Sequence, residues 1–123
     1  MDNVFDNIEQ LYRAVFPQSE YSFLWKKDGT ISDAALRDKN GLSVERGYYR
    51  SDKEVVDDMS RFFTGTIFAL TVEDCRKEGA VVIYKPTERS AFHSEIHGSR
   101  EKALLTGSQR KHLIQRIRVV KEI

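Results

Sequence analysis

Two of the chain's three histidines stand in the stretch Phe92-His93-Ser94-Glu95-Ile96-His97-Gly98, with a carboxylate between them. On an extended chain, side chains alternate, so His93, Glu95 and His97 share one face while Phe92, Ser94 and Ile96 share the other. A histidine exchanges a proton near neutral pH, and a neighbouring carboxylate orients it or raises its pKa, so general acid–base chemistry is what these residue types support. Metal-independent RNA cleavage needs a base for the 2′-hydroxyl, an acid for the leaving oxygen and cations for the phosphate. His93, Glu95 and His97 are the candidate catalytic residues for the first two roles. The plainer reading is that the three alternate outward because that face of a strand is wet.

Metal chemistry fits less well. On a strand, His93 and His97 lie about 13 Å apart by the rise per residue, too far to share one ion. A helix would bring them into chelating range, but Gly98 and the polar turn Thr87-Glu88-Arg89-Ser90 argue against one. His-x-Glu also occurs in zinc deaminases, which complete their site with a downstream Pro-Cys-x-x-Cys that this chain lacks. No metal and no other cofactor is expected. The Walker phosphate loop, the dinucleotide glycine fingerprint, Gly-x-Ser-x-Gly, His-Glu-x-x-His and the calcium loop are absent as well.

Charge supplies the second clue. From Ser99 onward seven Lys/Arg (Arg100, Lys102, Arg110, Lys111, Arg116, Arg118, Lys121) face two Glu, so a cationic tail follows an acidic body although the whole carries only +1. Such a tail attracts phosphates, an acidic partner or its own body. Lys111, His112 and Arg118, placed on a last helix, are candidate nucleic-acid contacts. Arg46, Tyr48 and Arg50 form an aromatic–basic cluster around Gly47 able to stack on a base and hold a phosphate; the alternative is an ordinary turn before a helix.

The elements that must position these residues are read from periodicity. With 123 residues, 40% hydrophobic and 32% charged, the chain is expected to be one globular domain spanning 1–123, with a core of its own. Val4, Ile8, Leu11 and Val15 have helical spacing, which predicts an N-terminal helix ending before Pro17; the rival is a strand over Leu11 to Phe16, with Tyr12 and Arg13 on opposite faces. Trp25 reads as a core or loop anchor rather than a stacking platform. Ser32 caps a short helix, and Leu42 to Arg46 reads as a strand with Leu42 and Val44 inward.

Ser51 and Glu54 have capping-box spacing, opening a helix whose stripe is Val55, Met59 and Phe62, with Val56 and Phe63 beside it. Residues 66–72 and 80–85 are apolar strands around the charged helical turn 73–78. Ser108 is expected to cap a last helix with Leu113, Ile114, Ile117 and Val120 inward. Cys75 has basic and acidic neighbours, which gives no reason for a lowered thiol pKa. The fold class is therefore α+β: a small, mostly antiparallel sheet of about four strands packed by two or three helices.

A single cysteine, no apolar run of membrane-spanning length and no signal-peptide layout at the start point to a cytoplasmic protein without a membrane partner. Two functions fit. The first is a small nucleic-acid- or nucleotide-binding protein, in its catalytic form a metal-independent ribonuclease with RNA as partner. The second is a non-catalytic interaction module, docking its basic C-terminal helix on an acidic protein or on a second copy of itself.

Overall fold

The computed structural model describes residues 2–122. Its clearest helix forms where the sequence places it: the Ser51 hydroxyl accepts from the Glu54 amide, and the Glu54 carboxylate accepts from the Ser51 amide. This reciprocal cap satisfies two donors at the start of α1 (Asp52–Met59). The helix stops at Met59, however, so Val55 and Met59 are buried while Phe62, expected in the same stripe, lies outside it and is 56% exposed.

Among the described residues six strands form one antiparallel sheet: β1 (Gln10–Val15), β2 (Leu42–Arg46), β3 (Thr66–Thr71), β4 (Val81–Tyr84), β5 (His93–His97) and β6 (Arg118–Lys121), in the order β4-β5-β2-β1-β3-β6. With α1, α2 (Val72–Lys77) and α3 (Gly107–Ile114), and short 3-10 turns at Ser22–Leu24 and Asp33–Leu36, they make a small α+β domain. Ser32 caps the second of those turns, as its sequence suggests. Gly65 leads into β3 where a Cβ would sit 1.9 Å from the Val15 carbonyl oxygen, so only glycine lets the two chains pass.

Two expectations are corrected. The N-terminal helix is absent; its place is taken by β1, preceded by irregular chain in which Val4 and Ile8 are 66% and 82% exposed. Tyr12 and Arg13 do point to opposite faces, as the strand alternative requires. Sheet pairing on both sides overrides the helical spacing. The last helix is also shorter: Thr106, not Ser108, caps it in a box with Gln109, and it ends at Ile114. The segment Arg118-Val119-Val120-Lys121, with two β-branched valines at its centre, then adds β6 to the edge beside β3, which brings the sheet to six strands rather than about four.

The two faces of the sheet are covered unequally. Leu11, Val15, Leu42, Val44, Phe68, Leu70 and Ile96 pack on one side against Leu36, Val72, Cys75, Leu105 and Leu113 from the turns, α2 and α3. On the other, Tyr12, Ile67 and Ala69 meet Val55 and Met59 of α1. That single two-turn helix roofs β1 and β3 but leaves the β2–β5 end of its face without a helix. The histidine strand lies at that open end.

Candidate functional site

β5 runs antiparallel to β2 with His93 opposite Glu45, Ser94 opposite Val44 and Glu95 opposite Ser43. Alternation then turns Ser94 and Ile96 into the core and His93, Glu95 and His97 to the open face, as the sequence pattern requires. The structure nonetheless divides the three. His97 Nε2 donates to Glu95 Oε1 at 2.8 Å, and Lys85 Nζ approaches the same oxygen at 3.5 Å. Partial burial would raise the Glu95 carboxyl, but the His97 hydrogen bond and the Lys85 charge outweigh it and hold the group below the usual range. The ring and carboxylate fold over Gly41, whose φ of +102° suits glycine and whose missing Cβ would lie 2.6 Å from His97 Nε2.

His93 keeps different company. Its Nδ1 lies 2.8 Å from the Lys85 carbonyl oxygen, an acceptor, so Nδ1 carries the hydrogen and Nε2 is left for other chemistry. Its partner across the ladder is Glu45, which sequence reasoning did not single out. The Glu45 carboxylate accepts from the Ser90 hydroxyl at 2.8 Å, and Arg50 approaches it at 3.9 Å. Burial raises its pKa above the ordinary carboxylate value, and these two contacts, with His93, offset only part of that. A pattern signal existed: Ser43 and Glu45 alternate outward from Leu42 and Val44. Placing Glu45 against His93, however, requires the register between strands.

Both residues line an open cleft of about 820 Å³ between the end of α1 and the turn joining β4 to β5. Asp58, Arg61, Phe62 and Phe63 form one wall, and Glu88, Arg89, Ser90 and Phe92 the other. Arg61, Phe62 and Arg89 stand exposed at the rim, the Arg89 guanidinium 5.3 Å from the Phe62 ring centre. The Arg50 guanidinium lies 3.4 Å from the centre of the Phe92 ring and bonds Asp58, the Gly47 carbonyl and the Arg46 carbonyl. A second groove of equal volume lies beside Trp25, Ile31, Ile114 and Ile117, and no histidine lines it. Trp25 serves there as a loop anchor, its indole donating to the Phe16 carbonyl. Among the described residues no three His, Cys, Asp or Glu side chains gather in a metal-holding group.

The other proposed nucleic-acid contacts are scattered. Arg46 is fully buried: it forks onto both Glu9 oxygens at 2.7 and 2.9 Å, donates to the Asp2 and Val4 carbonyls, and lies between the rings of Phe5, Tyr48 and Tyr84. It is a core arginine and presents no donor to a phosphate. Arg118 lies on β6 rather than on α3, and pairs with Asp52 at 2.6 Å beside Tyr12. His112 bonds Glu78 at 2.7 Å, Arg116 meets the same carboxylate at 3.3 Å, and Arg110 approaches Asp33 at 3.6 Å. Much of the cationic tail thus docks on the acidic body of its own chain; Lys111 remains exposed on α3.

Tyr48 and Tyr49 take φ of +45° and +66° in the turn Gly47–Arg50, closed by the Arg50 amide on the Gly47 carbonyl at 3.1 Å. Positive φ at both central positions makes it a type I′ turn, normally built from Asn and Gly. For tyrosines each such conformation costs about 1–3 kcal/mol.

No protein family, curated protein or solved structure matches the chain. Among the described residues no helix is long and apolar enough to cross a membrane.

Proposed function

We propose that this is a small cytoplasmic RNA-binding protein that cleaves single-stranded RNA in the cleft by metal-independent acid–base catalysis, with Glu45 and His93 as the pair. One observation carries the reading: a carboxylate and an imidazole are registered partners on adjacent strands and both line the cleft. Burial makes the Glu45 carboxylate more eager for a proton. The Lys85 carbonyl orients the imidazole so that Nε2 faces the chemistry.

Glu45 takes the proton of the ribose 2′-hydroxyl as that oxygen bonds to phosphorus. The bond from phosphorus to the 5′-oxygen breaks, and His93, entering the step as the imidazolium with a hydrogen on each ring nitrogen, gives its Nε2 proton to the departing oxygen while Nδ1–H stays on the Lys85 carbonyl. A 2′,3′-cyclic phosphate and a free 5′-hydroxyl result, and the pair exchanges protons with water to reset. Arg61 and Arg89 draw the phosphates to the rim, and Phe62 offers a base a flat surface. The Glu95–His97 pair orders the neighbouring part of the face without touching substrate.

The test is cleavage of a single-stranded RNA with analysis of the new termini. Cyclic phosphate ends are expected, with no cutting at a 2′-deoxy position. Glu45→Gln and His93→Ala should each lower kcat by about 100-fold or more, while His97→Ala stays near the parent. A parent protein that leaves RNA intact, or an E45Q/H93A double variant of undiminished rate, overturns the proposal.

A further inference from the structure

The Glu45 carboxylate has two oxygens, and its contacts crowd onto one of them. Ser90 Oγ lies 2.8 Å from Oε2, and an Arg50 guanidinium nitrogen approaches that same oxygen at 3.9 Å. Among the described residues no group donates to Oε1. The sense of the Ser90 bond is fixed from its other side. A serine hydroxyl has one hydrogen to give, and the Phe92 amide already donates to Ser90 Oγ at 3.1 Å. Its own hydrogen is therefore left for Glu45, whose ionised carboxylate only accepts. The serine is fixed by the turn it closes: the Thr87 amide donates to the Ser90 carbonyl at 2.9 Å, and the Ser90 amide to Thr87 Oγ1 at 3.1 Å.

The connection between β4 and β5 also tethers the imidazole. Lys85 opens that connection, and its carbonyl oxygen holds His93 Nδ1 at 2.8 Å; Ser90, near its other end, holds Glu45 Oε2. Each member of the pair thus has one atom tied by the same hairpin and one left without a partner among the described residues, Nε2 on His93 and Oε1 on Glu45. We infer that Ser90 is a positioning residue for Glu45, tying Oε2 so that Oε1 is the oxygen that meets the ribose 2′-hydroxyl. The inference rests on the acid–base reading of the cleft and adds to it the reacting oxygen and the residue that aims it. Burial raises the proton affinity of Glu45, with Asp58 of α1 adding to it, and the Ser90 bond, Arg50 and His93 offset part of this. On β1 the opposed residue is Tyr12, which gives its hydroxyl hydrogen to Asp52, and Glu88 and Arg89 of the connection stand exposed in the cleft wall.

Two readouts separate the two claims. The first is the titration midpoint of the Glu45 carboxyl, followed by carbon NMR in the parent and in Ser90→Ala, which needs no substrate. Loss of the donor should raise that midpoint by about one pH unit. The second is cleavage of a single-stranded RNA. Ser90→Ala should lower kcat about tenfold with KM unchanged, and should move the acid limb of the kcat–pH profile upward together with the NMR midpoint. Ser90→Thr, which keeps a hydroxyl, should restore both the midpoint and the rate. A parent that cuts RNA beside a Ser90→Ala variant with an unmoved midpoint overturns the inference and leaves the cleft reading standing. A loss of rate that appears in KM alone overturns it as well. A parent that leaves RNA intact overturns the cleft reading and with it the reacting oxygen, even where the midpoint rises in Ser90→Ala.

Discussion

Glu45 and His93 face one another across the β2–β5 ladder, one from a strand whose other face is core and one from the histidine strand. Side chains at directly opposed antiparallel positions stand about 4.5–5.5 Å apart at Cβ, so the pairing itself delivers the two groups to one another. A slip of β5 by one residue would turn His93 to the core face, away from Glu45. Leu42, Val44 and Ile96, all buried, guard against that slip, so the core residues hold the Glu45–His93 register.

Burial holds the Glu45 carboxyl above its ordinary value of 4.5, so the folded protein binds that proton more tightly than the unfolded chain does. The stability linked to it is full below pH 4.5 and is lost as the pH rises through the raised folded value. Glu45→Gln has no charge to bury. Its Tm should match the parent's in acid and exceed it progressively as the pH rises. Melting curves across that window check this, and a Tm difference independent of pH would contradict it.

Arg46→Ala should be severely destabilising, by about 3–5 kcal/mol in urea unfolding, because Glu9 and two backbone carbonyls lose their donors in a buried site. Arg46→Lys should recover only part of this, since an ammonium cannot fork onto Glu9 while lying flat between rings. Parent-like stability in Arg46→Ala would deny the residue its structural role.

Cys75 is fully buried, and burial pushes its thiol up to about 12, with Asp74 adding to the rise. In the native protein a thiol-titrating reagent such as DTNB should therefore react very slowly near neutral pH, and fully once the chain is denatured. Rapid native-state labelling would show that α2 opens readily.

Elements whose signals are local were legible in the chain. The Ser51 cap needs only Glu54, three residues away, and the outward histidines need only the alternation of their own strand. β1 was obscured because it is central: Leu11, Tyr12 and Val15 are buried whichever face they take, which erases the period of two. β6 was absorbed into the apolar stripe of the preceding helix, and Arg118 moved with it from a basic helix surface to a pair with Asp52. The same limit hid Glu45 as a partner of His93. Strand register is a property of the assembled sheet, and no spacing within either segment records it.

The strand order has a consequence for synthesis. β5 inserts beside β2 although α1, β3, α2 and β4 lie between them in the chain, so Glu45 leaves the ribosome long before its partner. A nascent or prematurely released chain ending before β5 lacks His93 and leaves the edge of β2 that β5 covers unpaired. In an abortive translation product Glu45 would therefore stand on an open strand edge, and the Glu45–His93 pairing arises only once β5 has joined the sheet.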